Sequence, residues 1–335
     1  MPIWNEFVKK RNRALISGIA GFAGSFLADL LLSEEYEVCG FLAPHESTEN
    51  VDHIIREIKL ERFDILNREK VSQFIKKTKP DYIYHLAAFS SVGQSFANER
   101  MTYDINFTGT LNMLEAATQL REALKKLVFI GSSDAYGVFA PRGKTLTEEQ
   151  PFNPISPYGI SKVAAEYLTQ YYRRQYNLPA VVIRAFNHTG PRQNEYFVVP
   201  SFCKQIAQIE RGHSRPQIMV GDLSARRDIA DVRDIVCGYY LAAQKGCSGD
   251  VYQLCSGQAV AVRTILDKLL KMATVKIKVN VDKSRFRKSD IPMLKGDNLK
   301  AKMQLGWHRR FGLDDTLRDT LQYWRERIKQ RTQKR

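Results

Sequence analysis

The first two dozen residues constrain this chain more than any other stretch. A short apolar run at 13–17 stops at Gly18. Gly18, Gly21 and Gly24 then punctuate the opening of a segment whose apolar positions Phe22, Phe26, Leu27, Leu30 and Leu31 recur at helical spacing. That pattern predicts a strand, a tight turn and a helix. The rhythm repeats downstream: strands are expected at 36–42, 57–63, 82–85, 127–130 and 180–183, with amphipathic stretches at 70–77, 98–120 and 157–176 between them. Strands and helices that alternate this regularly build parallel βαβ units, so the expected class is α/β with a doubly wound sheet.

After Asn187 the rhythm loosens. Helices are expected at 198–209, 232–244, 262–272 and 313–328, with short strands near Ile218 and Val251. The expected organisation is a Rossmann-like dinucleotide-binding domain over 13–186 and a smaller, mainly substrate-binding α/β domain over 187–330. Crossover segments share the sheet between them. Ligands of open α/β sheets bind beyond the carboxyl ends of the strands, and the chain places its distinctive residues there. Glycines spaced G-x-x-G-x-x-G let backbone approach a pyrophosphate and turn a helix N-terminus toward it. Gly18, Gly21, Phe22, Ala23 and Gly24 are therefore candidate cofactor contacts. Asp64 and Ile65 follow the third strand, where a carboxylate suits an adenine amino group. Leu86, Ala87 and Ala88 follow the fourth and are small enough to admit a ribose. A 2′-hydroxyl is usually met by an acid after the second strand and a 2′-phosphate by an arginine. Phe41-Leu42-Ala43-Pro44-His45 offers neither, so both NADP and NAD stay open, with NADP placed first.

The chemistry is expected at Tyr158-Gly159-Ile160-Ser161-Lys162. Ser156 and Pro157 suit an N-cap and first helical position, which puts Tyr158 and Lys162 on one helix face. A phenol near pKa 10 is a poor acid–base group at neutral pH; a neighbouring ammonium and a nicotinamide cation are expected to bring it down by about three units, roughly 4 kcal/mol. Ile130-Gly131-Ser132-Ser133-Asp134-Ala135-Tyr136-Gly137 follows the fifth strand. There a Ser132 hydroxyl can hold a reacting oxygen while tyrosine exchanges its proton, and Asp134 can act as base, relay or hydroxyl acceptor.

These motifs resemble the extended short-chain dehydrogenase/reductases that act on nucleotide sugars, over 13 to about 328. Phe186-Asn187-His188-Thr189-Gly190-Pro191, Arg226-Arg227-Asp228 and Leu305-Gly306-Trp307 are similar to its GDP-mannose branch. The resemblance implies a catalytic set of Ser132, Asp134, Tyr158 and Lys162, with Lys162 also holding the nicotinamide ribose. It implies substrate contacts at Ser133, Asn187, Val198, Arg227, Arg287 and Asp290: Asn187 toward the sugar or a phosphate, Val198 toward the guanine, and both arginines on the diphosphate. Two reactions fit, reduction of a 4-keto-6-deoxy sugar and 4,6-dehydration of GDP-mannose. Dehydratases of the branch usually carry threonine and glutamate where this chain has Ser132 and Asp134. Tyr252-Gln253-Leu254-Cys255-Ser256-Gly257 and Asp290-Ile291-Pro292 look reductase-like, whereas Lys288 departs from the proline common to both. Reduction to GDP-rhamnose is the expected activity; dehydration or epimerisation of a nucleotide hexose is the alternative. An RNA-binding relative or a cofactor-sensing regulator has little need of the full catalytic set.

Composition adds bounds. The chain has 335 residues, 44% hydrophobic and 26% charged, and no apolar run nears the ~20 residues of a membrane-spanning helix. Its first dozen residues lack a secretion signal's apolar core. Five cysteines, none spaced as CxxC, suit buried thiols in a reducing cytoplasm. With six scattered histidines no metal site is expected. The formal net charge of +15 favours an anionic partner. A GDP-sugar meets that description without invoking nucleic acid or membrane, and the basic stretch from 324 to 335 is expected to be a solvated terminus. Helices at 98–120 and 157–176 are expected to pair with their copies in a homodimer.

Overall fold

The computed structural model describes residues 11–139, 145–286 and 291–333. The first half runs β1 (Arg13–Ser17), α1 (Phe22–Ser33), β2 (Glu37–Leu42), β3 (Lys59–Arg62), α2 (Arg68–Thr78) and β4 (Tyr82–His85). Short helices α3 (Val92–Ser95) and α4 (Glu99–Tyr103) follow, then α5 (Gly109–Thr118), β5 (Lys126–Ser132), α6 (Pro157–Tyr176) and β6 (Ala180–Ala185). The second half runs β7 (Asn187–Thr189), α7 (Val198–Glu210), β8 (Gln217–Val220), β9 (Arg226–Asp231), α8 (Val232–Lys245) and β10 (Val251–Leu254). It ends with β11 (Ala259–Ala261), α9 (Val262–Met272), β12 (Lys278–Val281), β13 (Met293–Leu294) and α10 (Leu313–Gln333).

Seven strands form one parallel sheet in the order β10-β6-β5-β4-β1-β2-β3. Its central strands are buried on both sides, as the continuous burial of Tyr82–His85 and Ala180–Ala185 shows. Parallel strands covered by crossover helices read as such runs. One face packs Leu27 and Leu31 of α1 against Ile235 and Tyr239 of α8. The other packs Phe74 of α2, Met113 and Leu114 of α5 and Ala165 of α6. A third core, with Phe202, Ile206, Ile265, Leu321 and Trp324, joins α7, α9 and α10. Strand β9 gathers β7, β11 and β13, and β8 pairs with β12. No described helix is long and apolar enough to cross a membrane.

The single helix expected over 98–120 is interrupted. Between α4 and α5 lies a π-helical turn, Asp104–Thr108. The turn brings in Asn106, whose side chain accepts the Phe89 N–H at 2.7 Å and donates to Phe89 O at 3.2 Å and Ser161 Oγ at 2.9 Å. π-bulges arise where a helix must aim one residue off its regular spacing. Here that residue ties the segment after β4 to α6.

Candidate active site

The strand order reverses between β1 and β4, and a cleft of about 1190 Å³ opens beyond their carboxyl ends. On one wall lies the glycine turn. Gly18 has φ +72° and its Cα sits so close to the next loop that a Cβ would lie 3.1 Å from Ala87 Cα; at Gly24 a Cβ would lie 2.2 Å from Gly18 O. A side chain at Gly18 would be strained by that φ and crowd Ala87, and none fits at Gly24. Gly21 caps α1 without a side-chain bond, and the first turn holds no acid. The leading N–H groups of a helix have no intrahelical partner, so this end of α1 fits an anionic pyrophosphate. Opposite it, Leu86 and Ala87 are held by Ser17 Oγ, which accepts both their N–H groups at 3.1 Å. Ser17 therefore gives its proton to His85 Nδ1 at 2.8 Å, while Thr110, itself donating to Asn106 O, accepts from Nε2 at 2.9 Å. That chain requires neutral His85, and burial pushes its pKa down to about 3.

Helix α6 begins where the sequence places it. Ser156 Oγ accepts the Gly159 N–H at 3.0 Å, Pro157 is the first residue, and left-handed Asn177 closes the far end. Tyr158 and Lys162 both line the cleft and are buried. The Lys162 ammonium donates to Ile130 O at 2.8 Å and lies over the Phe129 ring; burial lowers it to about 8. Ser132 Oγ accepts the Asp134 N–H at 3.1 Å and faces the Asp134 carboxylate at 3.3 Å. The protein's own groups do not lower the Tyr158 phenol. Burial raises it, the Asp134 charge raises it further, and a hydrogen bond with Ser132 offsets only part. The reason is positional: Lys162 directs its ammonium at a strand carbonyl, and the charge beside the phenol is a carboxylate.

Behind this set lies a buried brace. Arg184 of β6 forks onto Glu166 of α6 at 2.7 and 3.1 Å, and donates to Tyr136 Oη at 2.8 Å and Glu148 O at 2.7 Å. Gln253 of β10 donates to the same phenol at 2.6 Å. The brace thus joins α6, the segment carrying Ser132 and Asp134, and two strands.

Of the expected site residues, Gly18, Gly21, Phe22, Ala23, Gly24, Leu86, Ala87, Ala88, Ser132, Ser133, Asp134, Tyr158, Lys162, Asn187, Val198 and Arg227 all line this cleft. Asp64 and Ile65 are not among its lining residues: the Asp64 carboxylate accepts the Leu66 N–H at 2.9 Å, and Ile65 is buried against Gly109. Arg227 donates to Ile291 O at 2.6 Å as well as facing the cleft. Arg287 and Asp290 lie outside the described residues. Sequence reasoning missed Glu46, Tyr196, Tyr239 and Arg285, which also line it. Glu46 lies one residue beyond Phe41–His45, Arg285 opens the segment that carries Arg287, and Tyr196 and Tyr239 follow no motif. His188 stacks on Phe22 with ring centroids 5.7 Å apart and donates from Nδ1 to Phe186 O at 2.9 Å. No group of metal-ligating side chains occurs among the described residues.

Comparisons with known proteins agree with this architecture. The chain is 29% identical to GDP-6-deoxy-D-mannose reductase of Pseudomonas aeruginosa, covering 95% of this chain and 99% of that one. It is 32% identical to GDP-mannose 4,6 dehydratase 1 of Arabidopsis thaliana, over 92% and 89% respectively. Among solved structures, RMD from Pseudomonas aeruginosa complexed with NADPH superposes with a TM-score of 0.81 at 29% identity, covering 94% of this chain and 99% of that one. Thermus thermophilus UDP-glucose 4-epimerase complexed with NAD gives 0.84 at 28% identity, covering 93% and 99%. A family model described as GDP-mannose 4,6 dehydratase matches residues 15–320. The chain belongs to the GDP-mannose 4,6-dehydratase family, within the extended short-chain dehydrogenase/reductases.

Proposed function

We propose that the chain is an NAD(P)H-dependent reductase that converts the 4-keto group of GDP-4-keto-6-deoxy-D-mannose to the hydroxyl of GDP-D-rhamnose. The observation that carries this reading is the Ser132-Ser133-Asp134 run lining the cleft beside Tyr158, where the branch's dehydratases usually carry threonine and glutamate in place of Ser132 and Asp134. A reductase needs a tyrosine that starts protonated, a state that burial and the Asp134 charge both favour. A dehydratase must first oxidise the 4-hydroxyl, for which the same tyrosine has to begin as a base. The nicotinamide, when bound, supplies the hydride that C4 receives. The glycine turn and the N-terminus of α1 would hold its pyrophosphate, and Lys162 its ribose. Ser132 orients O4, and Tyr158 donates its Oη proton to O4 as C4 becomes tetrahedral, so the carbonyl ends as a hydroxyl. Asn187 and Arg227 face the sugar and diphosphate, and Val198 the base.

The second reading, dehydration of GDP-mannose, is favoured by relatives such as the Arabidopsis enzyme. It requires a base that removes the C5 proton, and Asp134 is the candidate. Aspartate is one methylene shorter than glutamate, and a misplacement of about 1 Å can cost a hundredfold in rate. Asp134→Asn separates the two readings. Ketone reduction should survive substantially in that variant. Near-complete loss of C5 deuterium exchange from GDP-mannose in heavy water, from a wild-type enzyme that exchanges freely, would instead support the dehydratase.

A further inference from the structure

The segment at 43–50, which leaves β2, reaches the cleft beside the glycine turn through one residue, Glu46. It is held to the glycine turn on either side: the Gly18 N–H donates to Phe41 O of β2 at 3.0 Å, and the Asn50 amide at its far end donates to Ala20 O at 3.1 Å. Between these anchors, Glu46 is the residue of the segment that lines the cleft, alongside Gly18 and Gly21. Its carboxylate accepts the Ala43 N–H at 3.3 Å. The neighbouring bases are turned elsewhere. Arg62 Nη1 donates to the backbone oxygens of Glu46 at 2.7 Å and Pro44 at 3.4 Å, and His45 is exposed and does not line the cleft. What the cleft meets at the end of β2 is therefore a carboxylate.

We propose that Glu46 reads the adenosine ribose of the dinucleotide, accepting from a free 2′-hydroxyl and repelling a 2′-phosphate, so that the chain prefers NADH to NADPH. An acid in this place after the second strand of a dinucleotide-binding sheet does that work by geometry alone. The Glu46 side chain is exposed at the cleft rim; partial desolvation there raises its carboxyl, and the Ala43 N–H and the Arg62 charge offset part of that. A hydroxyl donor eases that burden, whereas two further negative charges aggravate it. The preference reverses the NADP-first expectation, which read the loop only as far as His45. It holds whether the bound sugar is reduced or dehydrated, because the ribose end of the cofactor takes no part in either.

Calorimetric titration of the full chain with NADH and with NADPH tests this without turnover or sugar. NADH should bind about tenfold or more tightly than NADPH, the discrimination one charge-assisted hydrogen bond provides. Glu46→Gln should bring the two affinities together, and Glu46→Arg should invert them. NADPH binding as tightly as NADH or tighter in the wild type overturns the assignment, as does an affinity ratio that neither variant changes. Binding of neither cofactor would overturn the dinucleotide reading of the cleft itself.

Discussion

Tyr158 shows what spacing can and cannot give. The four-residue interval to Lys162 and the Ser156-Pro157 cap were legible, and the structure places both side chains in the cleft. The effect of the protein's own groups on the phenol was not, because it depends on where the Lys162 ammonium points and on the Asp134 carboxylate across the loop. The account makes Tyr158 an acid, so Tyr158→Phe should lower kcat by about 10²-fold or more and leave cofactor affinity nearly unchanged. Wild-type turnover by that variant would remove Tyr158 from the mechanism. The alkaline limit belongs to Lys162. Burial brings its pKa from 10.5 to about 8, so its ammonium is present below that pH and lost above it. kcat/KM for the cofactor should therefore fall as pH rises through about 8, and a limb displaced beyond pH 10 would count against the assignment. The stability sign is the opposite. The unfolded chain keeps this proton until about 10.5, so the burial penalty is full below pH 8 and fades between 8 and 10.5.

At the level of elements, α6 is the organising piece. Its first two turns carry Tyr158 and Lys162, and one turn further on Glu166 meets Arg184 inside the protein. Leaving one member of a buried pair alone typically costs about 3–5 kcal/mol. Arg184→Met should destabilise by that order in thermal or urea unfolding; Glu166→Gln, which keeps hydrogen-bonding capacity, should cost less. A loss below about 1 kcal/mol for Arg184→Met would show that the brace does not hold the fold. The interruption of the 98–120 helix escaped the sequence because its apolar positions follow helical spacing on both sides of the π turn. Only the partners of Asn106 reveal why the extra residue is there. The outer faces of α4, the π turn and α6 leave Met101, Phe107, Ile160, Tyr167 and Tyr171 exposed. Apolar side chains gathered on adjoining helices favour self-association, so we propose pairing through these helices. Light scattering at micromolar concentration should give about twice the 38.4 kDa chain mass, and Ile160→Glu should shift it toward one. A wild-type monomer would contradict the pairing.

Across the whole molecule, legibility follows burial. The inner strands of the large sheet are largely apolar runs, unlike the edge strand Lys59–Arg62, and their alternation with helices foretold the parallel pairing. Strand β9 did not announce itself, since Arg226-Arg227-Asp228 reads as surface. It is buried because polar bonds satisfy it: Arg227 donates to Ile291 O, and Asp228 accepts N–H groups of Ser256, Gly257 and Gly296. Such short strands carry no period of their own. The +15 charge is likewise not one patch of free cations, as Arg184, Arg233 and Arg325 are each paired with a carboxylate. The cleft, where Lys162, Arg227 and Arg285 share the walls with Asp134 and Glu46, is the place where the two halves of the chain converge on one chemistry. The claim that this chemistry is ketone reduction is tested most directly by supplying GDP-mannose and GDP-4-keto-6-deoxy-D-mannose separately, each with NADH and with NADPH, and identifying the products by NMR. The account predicts loss of reduced nicotinamide with the keto sugar, appearance of GDP-D-rhamnose, and unchanged GDP-mannose. Conversion of GDP-mannose to its 4-keto-6-deoxy product, with no reduction of the keto sugar, would contradict it.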